Sequence, residues 1–164
     1  MPYVFVAMSF SEKFLPVWHI IESAIKKAGA NAIRVDNLPD VDDIFDTIFR
    51  KIRESDVLLA ECTINPDTVN SMLNVVMEIQ CAREKNIPVI IITQSNPAEL
   101  PFDLRVKNAI MYNENKEGLD LLEFRIKNRI KSALKFEKKV KIKWSFTKNN
   151  SRIKLQNHYS KVRN

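Results

Sequence analysis

The chain has 164 residues, 45% hydrophobic and 28% charged, enough for one domain with an ordinary core. Its apolar runs fall well short of the roughly 20 residues a membrane span needs, and MPYVFVAMSF enters strand-like sequence without a basic leader, so no signal peptide is expected. The net charge of +6 is unevenly spread: residues 137–164 hold nine Lys/Arg and one acid, net +8, whereas residues 1–136 hold 17 Lys/Arg and 19 acids, net −2.

Tyr3 to Met8 is apolar and β-rich, the first expected strand. After the polar turn Ser9-Phe10-Ser11, helical spacing runs through Phe14, Val17, Trp18, Ile21, Ala24, Ile25 and Ala28. Pro16 suits that helix's first turn and Gly29 its stop. Ala32 to Asp36 reads as a second strand and Asn37 to Asp43 as a loop, with Asp42 or Asp43 as a cap. Ile44, Phe45, Ile48, Phe49 and Ile52 form the stripe of a second helix.

Asp56 to Glu61 is nearly all apolar, as a strand covered on both faces requires. Asn65 to Ser71 is expected to be a polar loop, and Met72, Val75, Val76, Ile79 and Ala82 to be the buried stripe of a third helix. Pro88 to Thr93 predicts a fourth strand, Ala109 to Tyr112 a short fifth, and Leu119 to Leu134 a last amphipathic helix. This alternation predicts an α/β, flavodoxin-like (Rossmann-like) parallel sheet of about five strands with helices on both faces. The expected division is a domain over 1–136 and a basic C-terminal extension over 137–164. In the extension Val140, Ile142, Trp144 and Phe146 alternate with polar residues, as in an amphipathic strand.

Two glycines, Gly29 and Gly118, leave no room for a GxGxxG or Walker A loop. His19 and His158 are far apart and no HExxH or Cys/His cluster exists, so no metal and no cofactor is expected. Cys62 and Cys81 form neither a CxxC nor a disulfide framework, which points to reduced thiols in the cytoplasm.

Polar residues converge where open α/β sheets bind ligands, at the carboxyl ends of the strands. They are Ser9, Asp36, Glu61, Thr63 and Gln94. Asn74 and Glu78, one turn apart on the third helix, can address one ligand together. Glu78 borders the buried stripe, where partial burial raises a carboxylate's pKa. A lone positioned carboxylate suits attack at, or stabilisation of, an oxocarbenium-like sugar carbon. The bland alternative is a surface glutamate pairing with Arg83 or Lys85.

Met8-Ser9-Phe10, Arg34-Val35-Asp36, Ile44-Phe45-Asp46-Thr47-Ile48, Glu61-Cys62-Thr63, Asn74-Val75-Val76-Met77-Glu78 and Pro88-Val89-Ile90 occur in that order. This series resembles the nucleoside 2-deoxyribosyltransferase-like branch of the TIR-like α/β superfamily, over roughly residues 3–112. The resemblance implies cleavage or transfer of an N-glycosidic bond of a nucleoside, nucleotide or NAD-type dinucleotide. It gives Glu78 the role of nucleophile or stabiliser and Asn74 that of orienting the sugar or carboxylate. Ser9, Phe10, Asp36 and Asp46 would line the pocket. Glu61 stands where the family has Asp, and Gln80 where it has Gly; the loop before Asn74 reads as longer than the family's. Homo-oligomers and a part in bacterial antiphage defence are implied in the same way. The alternative is a non-catalytic nucleotide-sensing, oligomerising TIR-like module. For residues 137–164, nucleic-acid binding competes with an extra edge strand whose lysines face solvent.

Overall fold

The computed structural model describes residues 1–34, 44–64, 69–96, 98–101, 104 and 108–136. Asp36, the caps at Asp42 and Asp43, Pro66 and the extension 137–164 lie outside the described residues. The elements in order are β1 (Tyr3–Ala7), a one-turn 3-10 helix (Glu12–Phe14), α1 (Leu15–Lys27), β2 (Asn31–Ile33), α2 (Ile44–Glu54), β3 (Val57–Glu61), α3 (Val69–Glu84), β4 (Val89–Thr93) and β5 (Ile110–Met111). A last helix, α4, spans 116–136. The sheet order is β2-β1-β3-β4-β5 and every pairing is parallel. This is the expected flavodoxin-like architecture.

Strand alternation divides the core into two layers. Val4, Val6, Val57, Leu59, Ile90 and Ile92 pack against α1 and, through Leu122, Ile126 and Ile130, against α4. Phe5, Ala7, Leu58, Ala60 and Ile91 face the other way, onto Ile52 of α2 and Val75, Ile79 and Ala82 of α3. Among the described residues no helix is long and apolar enough to cross a membrane.

Local chemistry explains the helix ends. Gly29 has φ +83°, its N–H donates to Lys26 O (3.0 Å), and that of Ala30 donates to Ile25 O (3.2 Å). This is a Schellman stop, which needs the left-handed conformation glycine adopts without strain. Asn86 (φ 57°) ends α3 in the same way, with the Ile87 N–H reaching Ala82 O at 2.9 Å. At the start of α4, Asn115 Oδ1 accepts from the Gly118 N–H at 2.7 Å, an N-cap bond.

One expectation needs correction. α3 begins at Val69, so Asn74 lies in its second turn, not at its opening. The segment 69–73 has no proline or glycine to prevent a helix from extending back over polar sequence, so Val69, Asn70 and Ser71 of the expected loop belong to the helix. The α2 stripe is only partly buried: Ile52 is fully covered, but Ile44 and Phe45 are 49% and 57% exposed.

Candidate functional site

The exposed half of the α2 stripe borders a cavity of about 190 Å³ between α2, α3 and the end of β1. Met8 and Phe10 close one side, Phe45, Ile48 and Phe49 the second, and Asn74, Met77 and Glu78 the third. Asn74 and Glu78 therefore share the face their spacing predicts. Glu78 is 9% exposed in a mostly apolar wall. Burial raises its pKa from 4.5 to about 7, with no charge or hydrogen bond among the described residues contributing. The arrangement holds a carboxylate that is ready to ionise near neutrality and has little water competing for the atoms it faces.

The other expected residues are distributed more widely. Phe10 lines the cavity, 55% exposed, and the Arg34 guanidinium lies 5.7 Å from its ring. Arg34 is also stacked 4.4 Å over Trp18 and is itself buried, so it ties the loop after β1 to α1. Sequence reasoning gave Arg34 no role; its position before Asp36 at a strand end was the available signal. Ser9 is buried beside the cavity, and its Oγ accepts from the Ser11 N–H at 3.3 Å. Asp46 is not a lining residue. It lies along a separate shallow groove with Thr47, Arg50, Arg53 and Glu54, because its position on α2 falls on the arginine side of the helix. Gln80 is exposed and does not line the cavity, so its bulk leaves the space beside Glu78 unchanged.

Glu61 is not a lining residue either. It shares parity with Val57 and Leu59, whose side chains face α1 and α4. Its Oε1 accepts from the Thr63 hydroxyl, the Thr63 N–H (3.1 Å) and the Tyr112 hydroxyl (3.1 Å). Gln94 Nε2 donates to Tyr112 Oη (3.1 Å) and to Glu114 Oε1 (2.8 Å), and the Gln94 N–H donates to Thr63 Oγ1 (2.9 Å). Burial again pushes the Glu61 pKa to about 7, against the pull of these donors. Glu61, Thr63 and Gln94 thus join β3, β4 and β5 at the sheet's carboxyl edge. Cys62, in the opposite layer, has its thiol pushed up to about 12 by burial and by the Glu61 charge, which makes it unreactive near neutrality. Among the described residues no cluster of His, Cys, Asp and Glu could hold a metal ion.

No family model and no curated protein matches the chain. Among solved structures, a 2-deoxyribosyltransferase from Bacillus psychrosaccharolyticus superposes with a TM-score of 0.54 at 16% identity, covering 74% of this chain and 90% of that one. The 2-deoxyribosyltransferase from Leishmania mexicana gives 0.54 at 9% identity, covering 74% and 96%. The RPS4–RRS1 TIR domain heterodimer gives 0.51 at 17% identity, covering 81% and 98%. The chain thus has the α/β fold that 2-deoxyribosyltransferases and TIR domains share, as the ordered motifs implied. At these identities the likeness is one of fold.

Proposed function

We propose that the protein breaks or transfers the N-glycosidic bond of a nucleoside bound in the α2–α3 cavity. The observation that carries this reading is the Glu78 carboxylate, buried in an aromatic and aliphatic wall with Asn74 beside it on α3. Ionised Glu78 would attack C1′ as the C1′–N bond breaks, the bonding electrons leaving with the base, which takes up a proton. Water or a second base would then displace the carboxylate from C1′. Phe10 and Phe45 offer flat faces for the base, and Asn74 can hold a sugar hydroxyl or the carboxylate.

The electrostatics favour a nucleoside over a nucleotide or a NAD-type dinucleotide. Among the described lining residues there is one acid and no Lys or Arg. The segments leading in sequence into α2 and α3, 35–43 and 65–68, contain five Asp and no Lys or Arg. A phosphate in the cavity would meet the Glu78 carboxylate and no cation among the described lining residues. The exposed apolar rim of Phe10, Ile44, Phe45 and Met77 also suits a homo-oligomer in which a second copy covers the cavity mouth. The test is base release, followed by liquid chromatography, from deoxynucleosides, ribonucleosides and NAD. Nucleosides are expected to release base, and Glu78→Gln to abolish the release. Release undiminished by that substitution would remove Glu78 from the reaction.

A further inference from the structure

A second surface, on α4 and beside β5, the last strand of the sheet among the described residues, has no part in that reaction. Residues 1–123 hold 12 Lys/Arg and 19 acids, net −7, whereas residues 124–164 hold 14 Lys/Arg and one acid, net +13. The charge boundary therefore falls inside α4, not at its end. From Phe124 to Phe136 the helix bears Arg125, Lys127, Arg129, Lys131 and Lys135 and no acid. At a rise of 1.5 Å per residue these cations extend over about 15 Å of helix.

Arg125 and Arg129 border a groove of about 460 Å³ between α4 and β5, together with Ile110, Phe124, Asn128 and Ser132. Two backbone carbonyls hold the arginines at its mouth: Arg125 Nη1 donates to Met111 O (3.4 Å) and Arg129 Nη2 to Asn108 O (3.2 Å). Each guanidinium has five N–H donors, of which these bonds use one among the described residues. Phe124 is 57% exposed, and the Lys127 ammonium lies 5.2 Å from its ring. An exposed aromatic face among cations, with amide and hydroxyl groups alongside, matches what single-stranded nucleic acids need: charge for phosphates and a platform for a base.

We propose that the second half of α4 is a binding surface for single-stranded nucleic acid. A lipid surface fits less well, because Asn128 and Ser132 interrupt the apolar side chains along the groove.

The test uses the full chain, a fluorescein-labelled 20-nucleotide single strand of mixed sequence, as RNA and as DNA, and anisotropy titrations at several salt concentrations. Binding is expected to weaken with salt, log K falling by about 0.7 per decade of salt for each phosphate neutralised. Lys131→Glu/Lys135→Glu alters two exposed side chains and is expected to weaken binding at least tenfold and flatten the salt slope. Arg125→Glu/Arg129→Glu should do the same, and circular dichroism melting confirms that both variants are folded. Affinity unchanged in the lysine pair overturns the proposal. So does failure to bind the oligonucleotide while vesicles of phosphatidylserine and phosphatidylcholine are bound.

Discussion

Glu78→Gln should make the protein more stable above neutral pH while removing the proposed activity. The glutamate's pKa lies at about 7 in the folded chain against an ordinary 4.5. Between those values the native state holds a proton that the unfolded state has lost, so folding stability falls as pH rises from 4.5 towards 7 and stays lowered above it. At about 1.4 kcal/mol per tenfold, that displacement corresponds to about 3 kcal/mol lost at pH 8, an upper figure for a group 9% exposed. Glutamine keeps the shape and never ionises. The variant should therefore match the wild type at pH 4.5 and exceed it by up to about 3 kcal/mol at pH 8. In a domain of this size that amounts to roughly 6–12 °C in Tm. The assay is urea denaturation of both proteins from pH 4.5 to pH 8. Glu61, also raised to about 7, contributes a slope of the same sign in both proteins and cancels in the comparison. A stability difference that does not grow with pH would show that Glu78 is not held in a desolvated site.

Further outcomes can be checked by simple means. The proposed attack on C1′ requires Glu78 ionised, so base release should rise through pH 7 and level off near pH 8, and Glu78→Gln should lower it at least about a thousandfold. Phe45→Ala removes an exposed wall of the cavity, so it should raise KM while changing stability by no more than about 0.5 kcal/mol. Phe14→Ala, by contrast, empties a core position and should cost about 3–5 kcal/mol in chemical denaturation. Asn115→Ala removes the α4 cap and should cost about 1 kcal/mol. Gly118→Ala should cost more, because its Cβ would stand 2.4 Å from the Asn113 carbonyl oxygen. Thermal melts rank that pair.

The sheet was legible because buried parallel strands read as apolar runs: VLLAE and VIIIT can hardly be anything else. The Asn74–Glu78 pair was legible because helical spacing fixes which residues share a face. Grouping polar residues by sheet edge alone obscured the face each one takes. Parity along β3 separates Glu61 from the α2–α3 side, and the α2 wheel turns Asp46 towards Arg50 and Arg53. Both facts were in the sequence but needed a commitment to register. The exposure of Ile44 and Phe45 was not in the sequence, because periodicity marks an apolar face without saying whether side chains or open space lie opposite. The early start of α3 was concealed for another reason: Val69-Asn70-Ser71 is helical without any strong local preference for it.

The uneven burial of α2 has a thermodynamic consequence. Ile52 anchors the helix at one end, while Ile44 and Phe45 at the other line the cavity and are about half exposed. A ligand in the cavity would give that first turn the apolar neighbours it lacks, so part of its binding free energy would appear as consolidation of α2. Slower amide exchange in the first turns of α2 than in its last would then report occupancy, even for a ligand that never reacts.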